Sequence, residues 1–113
     1  MLKVLVIGGG AREHTLVWKL SQSPKVGEIY VAPGNAGTGF IAKNLDIKPT
    51  ELEHLAQEAL SKGIDLAVVG PEAPLAAGIV DLFQGRGIPI FGPTREATKI
   101  ESSKVFAKWL MQR

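Results

Sequence analysis

The sequence predicts a Rossmann-like, doubly wound α/β fold, and three observations carry that expectation. Short runs rich in β-branched residues alternate with amphipathic helical stretches, the pattern of βαβ units around a parallel sheet. Four of the loops that follow those runs contain glycine. The first run, Lys3-Val4-Leu5-Val6-Ile7, passes through Gly8-Gly9-Gly10 directly into Ala11-Arg12-Glu13-His14, a strand, a glycine loop and a helix start in one unit.

Residues 2–7, apolar but for Lys3, form the run expected of a central parallel strand covered on both faces. Residues 11–21 place Leu16, Val17 and Leu20 on one helical face before Ser23-Pro24 closes the helix. Ile29, Tyr30 and Val31 give residues 28–31 high β-propensity. The stretch Ala32-Pro33-Gly34-Asn35-Ala36-Gly37 then reads as a loop. A weakly signalled strand is expected at 44–47. Thr50 and Glu53 have the spacing of a capping box, ahead of a helix with Leu52, Leu55, Ala56, Ala59 and Leu60 at helical spacing and Gly63 as its stop. Residues 64–69 read as a buried strand and 74–83 as a helix turning Ile79, Val80 and Phe83 inward. Gly85 and Gly87 break that helix before a short strand at 88–91. The tail from 94 to 113 is helical in pattern and ends without a cap, which predicts a piece of a longer protein. Domain boundaries are expected at 1–100 for the Rossmann-like unit and 101–113 for a helix leading out of it.

Composition limits the function. The chain has 113 residues, enough for one modest core, and a formal charge of +2 spread too thinly for a nucleic-acid surface. There is no cysteine, so disulfides, thiolate catalysis and Cys-based zinc sites are excluded. No apolar run is long enough for a signal peptide or a membrane span. A cytoplasmic protein without nucleic-acid or membrane partners is the expectation. His14 and His54 stand apart from each other, so no metal site is expected.

Ligands of doubly wound sheets bind beyond the carboxyl ends of the strands. The loops expected there are 8–13, 32–37, 70–74 and 92–94. Glycines in the first let backbone N–H groups approach a phosphate, and the helix N-terminus favours its charge. Arg12 adds a planar fork of donors. A dinucleotide is disfavoured, because Glu13 stands where the third fingerprint glycine belongs and Ala32-Pro33 where a ribose-binding acid would be. A single phosphate fits better. Asn35 offers donors and acceptors in the second loop, and Glu72 a carboxylate in the third. A nucleotide module binding NAD or FAD, a purely structural module and a standalone interaction domain are the alternatives.

Four stretches carry a resemblance. Val6-Ile7-Gly8-Gly9-Gly10-Ala11-Arg12-Glu13-His14, Tyr30-Val31-Ala32-Pro33-Gly34-Asn35-Ala36-Gly37, the run from Asp65 through Gly70-Pro71-Glu72 to Ile79, and Phe91-Gly92-Pro93-Thr94 with Ile100-Glu101-Ser102-Ser103-Lys104 resemble, in order and spacing, the start of the glycinamide ribonucleotide synthetase family. Ala11 and Ser103 stand where that family commonly has glycine. The resemblance implies an ATP-grasp ligase of purine biosynthesis, with an N-terminal domain of the pre-ATP-grasp type also found in biotin carboxylase. It implies that ATP activates glycine as glycyl phosphate, which the amine of 5-phosphoribosylamine attacks.

Carried over by position, Gly9, Gly10, Arg12, Glu13, Asn35, Gly37, Pro71 and Glu72 would surround the phosphoribosylamine, and Lys104 the nucleotide phosphates. ATP and Mg2+ (or Mn2+) would be held mainly beyond these residues, so no catalytic residue is expected among the 113. Small molecules are the expected partners, and a monomer the expected state of the full-length enzyme.

Overall fold

In a computed structural model, residues 2–70 and 76–91 are described. Five parallel strands form one sheet in the order β3-β2-β1-β4-β5. They are β1 (Leu2–Gly8), β2 (Val26–Pro33), β3 (Lys43–Asn44), β4 (Leu66–Val69) and β5 (Ile90–Phe91). The helices are α1 (Ala11–Ser21), α2 (Leu52–Ser61) and α3 (Ala76–Gly85), with one 3₁₀ turn at Thr38–Phe40. The predicted fold class is therefore the observed one.

The sheet is wound from its middle outward. From β1 the chain crosses through α1 to β2 and then steps to the edge strand β3. Helix α2 carries it back past β1 to β4, and α3 leads to β5. Strand order thus reverses between β1 and β4, where Val4, Leu5, Val6 and Ile7 pair with Leu66, Ala67, Val68 and Val69. Alternation along β1 divides the core. Val4 and Val6 pack with Val17 and Leu20 of α1 and with Ile29 and Val31 of β2. Leu5 and Ile7 face the other way, toward Leu55, Ala56 and Ala59 of α2 and Ile79 and Phe83 of α3. Both faces of β1 are covered from Val4 to Ile7, which is why that stretch is apolar without interruption, while Lys3 before it is only partly buried. Each such side chain contributes roughly 1.5–3 kcal/mol on full burial.

Several local expectations give way to specific contacts. The capping box of Thr50 and Glu53 does not form. Glu51 takes the N-cap position of α2 without a side-chain cap bond, and its Oε2 accepts the Lys48 N–H at 2.7 Å, closing the Pro49-Thr50 turn instead. Glu53 is drawn to Arg86 at the end of α3, 2.6 Å away. Leu60 is exposed, since the buried stripe of α2 runs through Leu55, Ala56 and Ala59. The 44–47 strand shrinks to Lys43–Asn44, and Ile47 is buried as a loop residue. Gly85 lies within α3, whose end is made by Gly87. The N–H of Ile88 bonds back to the Phe83 carbonyl at 2.9 Å, so residue 88 belongs to the helix stop and not to β5. The tail and its proposed boundary at residue 100 lie outside the described residues.

Candidate functional site: the loops at the switch point

The carboxyl ends of β1 and β4 meet at the switch point, and the loops after β1 and β2 gather beside it. β1 ends at Gly8, and α1 begins after the N-cap Gly10. The first intrahelical bond of α1 is His14 N–H to the Gly10 carbonyl at 3.2 Å. Consequently the amides of Ala11, Arg12 and Glu13 have no acceptor inside the helix. They and the dipole of an eleven-residue helix make the end of β1 electropositive. Arg12 is exposed beside them. Ala11 is also exposed, so the methyl it adds to the loop points to solvent.

The second loop is fastened to the first. Gly34 N–H donates to the Gly8 carbonyl at 3.1 Å, and the Ala32–Pro33 bond just before it is cis. The Asn35 amide donates to the carbonyls of Gly9 (2.9 Å) and Gly10 (3.3 Å). Its Oδ1 accepts the Thr38 N–H at 2.9 Å. Asn35 thus spends its side chain holding the two loops together. The loops approach so closely that a Cβ at Gly9 would come within 2.8 Å of the Gly34 carbonyl oxygen. Gly37 instead faces the ring of His14.

Glu13 lies beneath this loop. It is only 2 % exposed, and its side chain fills the space over the Cα atoms of Gly8 and Gly70, the last residue of β1 and the first after β4. Its Oε1 accepts the Gly10 N–H at 3.4 Å, the carboxylate half of a capping box, while Oε2 is buried with no hydrogen-bond partner among the described residues. In a dinucleotide fingerprint the close approach of helix to strand is made by a glycine on the helix. Here the glycines stand at the strand ends, Gly8 closing β1 and Gly70 following β4, and the helix supplies the side chain.

The structure therefore brings Gly9, Gly10, Arg12, Glu13, Asn35 and Gly37 to one edge of the sheet. Pro71, Glu72 and Lys104 lie outside the described residues. Sequence reasoning missed Thr38, fully buried, and Asn44 of β3, which both hydrogen-bond to Asn35. The Asn35-x-x-Thr38 spacing, a side-chain-closed turn, was the available signal. No helix among the described residues is long and apolar enough to cross a membrane.

Fold and loop geometry define a Rossmann-like domain whose glycine loop and helix N-terminus share the carboxyl edge of the sheet. Residues 2–101 match the family described as phosphoribosylglycinamide synthetase, N domain, and the chain belongs to that family. It is 57 % identical over 112 residues to the phosphoribosylamine–glycine ligase of Ralstonia nicotianae, which covers 99 % of this chain and 26 % of the relative. The enzyme of the same name from Caldanaerobacter subterraneus is 54 % identical over 110 residues, covering 97 % of this chain and 26 % of the relative. That from a Nostoc species is 49 % identical over 113 residues, 98 % of this chain and 27 % of the relative. The chain thus spans about a quarter of the length of these curated relatives.

Proposed function

We propose that this domain binds the acceptor substrate of a phosphoribosylamine–glycine ligase. The full-length reaction joins 5-phosphoribosylamine and glycine at the expense of ATP, by way of glycyl phosphate, and yields glycinamide ribonucleotide, ADP and phosphate. The observation that carries the assignment is the glycine loop leading into the uncapped amides of α1 at the switch point. Amide N–H groups of Ala11 and Arg12 hold the 5-phosphate, and the Arg12 guanidinium pairs with its outer oxygens. Asn35 and Gly37 wall the crevice on the β2 side. Pro71 and Glu72, following β4, border the ribose or the reacting amine. Glu13 supports the loop from below.

Among the described residues no three His, Asp or Glu side chains converge as metal ligands. ATP, with Mg2+ or Mn2+, is assigned to the ATP-grasp part of the full-length polypeptide, with Lys104 facing the nucleotide phosphates. When bound, the metal–nucleotide supplies the phosphoryl group that activates glycine. The domain's own share is orientation, presenting the amine of a substrate anchored through its phosphate. The enzyme is assigned to the cytoplasm and acts as a monomer on small molecules.

The test is calorimetric titration of glycinamide ribonucleotide into the full-length protein and its Arg12→Ala and Glu72→Ala variants. A charge-assisted hydrogen bond is worth about 1.5–3 kcal/mol, so each variant binds roughly tenfold or more weakly. Unchanged affinity in both variants overturns the assignment.

A further inference from the structure

We infer that Thr38 and Asn44 are positioning residues for the phosphate loop, acting through Asn35. This goes beyond the acceptor-substrate reading and rests on it only for the identity of the ligand.

Asn35 is held at every polar atom. Its N–H donates to Thr38 Oγ1 at 2.8 Å, its Oδ1 accepts the Thr38 N–H, and its carbonyl accepts Asn44 Nδ2 at 2.8 Å. Thr38 Oγ1 also lies 2.8 Å from Asn44 Oδ1 and 3.0 Å from the Asn35 carbonyl oxygen. One hydroxyl carries one proton, and the Asn35 carbonyl already has a donor in Asn44. The Thr38 hydroxyl therefore donates to Asn44 Oδ1 and accepts from Asn35 N–H, closing a ring of three residues. Thr38 is fully buried in that ring, and the two-residue strand β3 places Asn44 at its rim.

The ring leaves the Asn35 amide one orientation, with both hydrogens toward the Gly9 and Gly10 carbonyls. In a trans peptide the C=O and the next N–H point oppositely. Fixing the Gly9 carbonyl therefore fixes the Gly10 N–H, which Glu13 Oε1 receives from the other side. Fixing the Gly10 carbonyl aims the Ala11 N–H away from Asn35, at the position proposed for the phosphate. Thr38 and Asn44 touch no ligand in this scheme, yet through Asn35 they brace the first peptide of α1, whose Gly10 carbonyl also accepts the His14 N–H.

The experiment uses the full-length protein as wild type, Thr38→Val, Thr38→Ser and Asn44→Ala. Hydrogen–deuterium exchange of the peptide covering 8–14 is read without ligand, and then the Kd for glycinamide ribonucleotide and the KM values for glycine and ATP. Thr38→Val keeps shape and loses the hydroxyl, while Thr38→Ser keeps the hydroxyl. Expected for Thr38→Val and Asn44→Ala are faster exchange at 8–14 and about tenfold weaker binding of glycinamide ribonucleotide, the cost of one hydrogen bond, with glycine and ATP unaffected. Thr38→Ser restores both readouts. Wild-type exchange in Thr38→Val and Asn44→Ala overturns the inference. So does a general loss, with all three substrates weakened together and no rescue by serine. Wild-type protein that fails to bind glycinamide ribonucleotide, while the variants still loosen residues 8–14, overturns the acceptor-substrate reading and supports the positioning role.

Discussion

A Cβ on Gly70 would lie 2.6 Å from Glu13 Oε1, so the residue after β4 is glycine because a helix side chain already fills its place. The carboxylate is wedged across the β1–β4 seam, where the two halves of the sheet turn apart. It is buried in a well-packed interior, which has little room for an added methyl group.

Gly70→Ala is therefore expected to destabilise the protein by about 1–3 kcal/mol through overpacking. In a Glu13→Ala background the same change meets open space, and the double mutant should show a coupling of at least roughly 0.5 kcal/mol. Urea unfolding of the four proteins measures the cycle. Additive costs would show that the wedge does not set the residue at position 70.

Gly63, by contrast, is constrained by its backbone alone. Its φ is +65°, and a Cβ there would meet nothing within 4 Å. It ends α2 by donating to the Leu60 carbonyl at 3.2 Å, while Ile64 N–H reaches the Ala59 carbonyl at 2.9 Å. Gly63→Ala should cost about 1–2 kcal/mol, the left-handed penalty of an L-residue, and Gly63→Asn less. Equal stability of the alanine and glycine proteins in thermal unfolding contradicts this.

These two glycines mark what the sequence could and could not tell. Gly63 was legible as a helix stop, because a local rule made it one. Residues 11–21 likewise became α1 with no change of boundary, since strand, loop and apolar stripe all agree there. Gly70 was legible as the end of a strand, but the reason for its being glycine lies 57 positions away in Glu13. Thr50 and Glu53 had the spacing of a cap, yet Glu53 found a long-range partner in Arg86, which no local pattern encodes. Asn35 stood out in the sequence as a candidate, whereas Thr38 and Asn44 did not. Their role depends on β3 pairing with β2, and a two-residue edge strand leaves almost no periodic signal.

Tyr30 gives the fold an alkaline limit. Its hydroxyl donates to Glu28 Oε2 at 2.9 Å, and this bond, with burial and the glutamate's charge, raises its pKa above the ordinary 10.0 despite the opposing charge of Lys62. The folded state thus holds the phenolic proton more tightly than the unfolded chain does. The associated stability is complete below pH 10.0, where both states are protonated, and is lost as pH rises through the folded-state value. Stability above pH 10.0 should fall more steeply for wild type than for Tyr30→Phe. Parallel curves for the two proteins would refute the linkage.

Gly9 and Gly37 lie on the same edge of the sheet, but their substitution should have unequal consequences. A Cβ at Gly9 would press within 2.8 Å of the Gly34 carbonyl oxygen, a backbone atom held by the bond from Gly34 N–H to Gly8. The two loops must separate to admit it, stretching the Asn35 bonds to the Gly9 and Gly10 carbonyls. Backbone displacements of this kind cost about 1–3 kcal/mol, so Gly9→Ala should weaken binding of glycinamide ribonucleotide roughly tenfold. A Cβ at Gly37 would instead meet the ring of His14, 2.7 Å away. That ring is the end of an exposed side chain and can turn aside, and Gly37 has ordinary right-handed helical angles, φ −65° and ψ −44°. Gly37→Ala should therefore stay within about 0.5 kcal/mol of wild type in stability, as surface changes do, and within about threefold in affinity. If instead Gly37→Ala abolished binding while Gly9→Ala did not, the phosphate would have to sit on the second loop and not on the amides of α1.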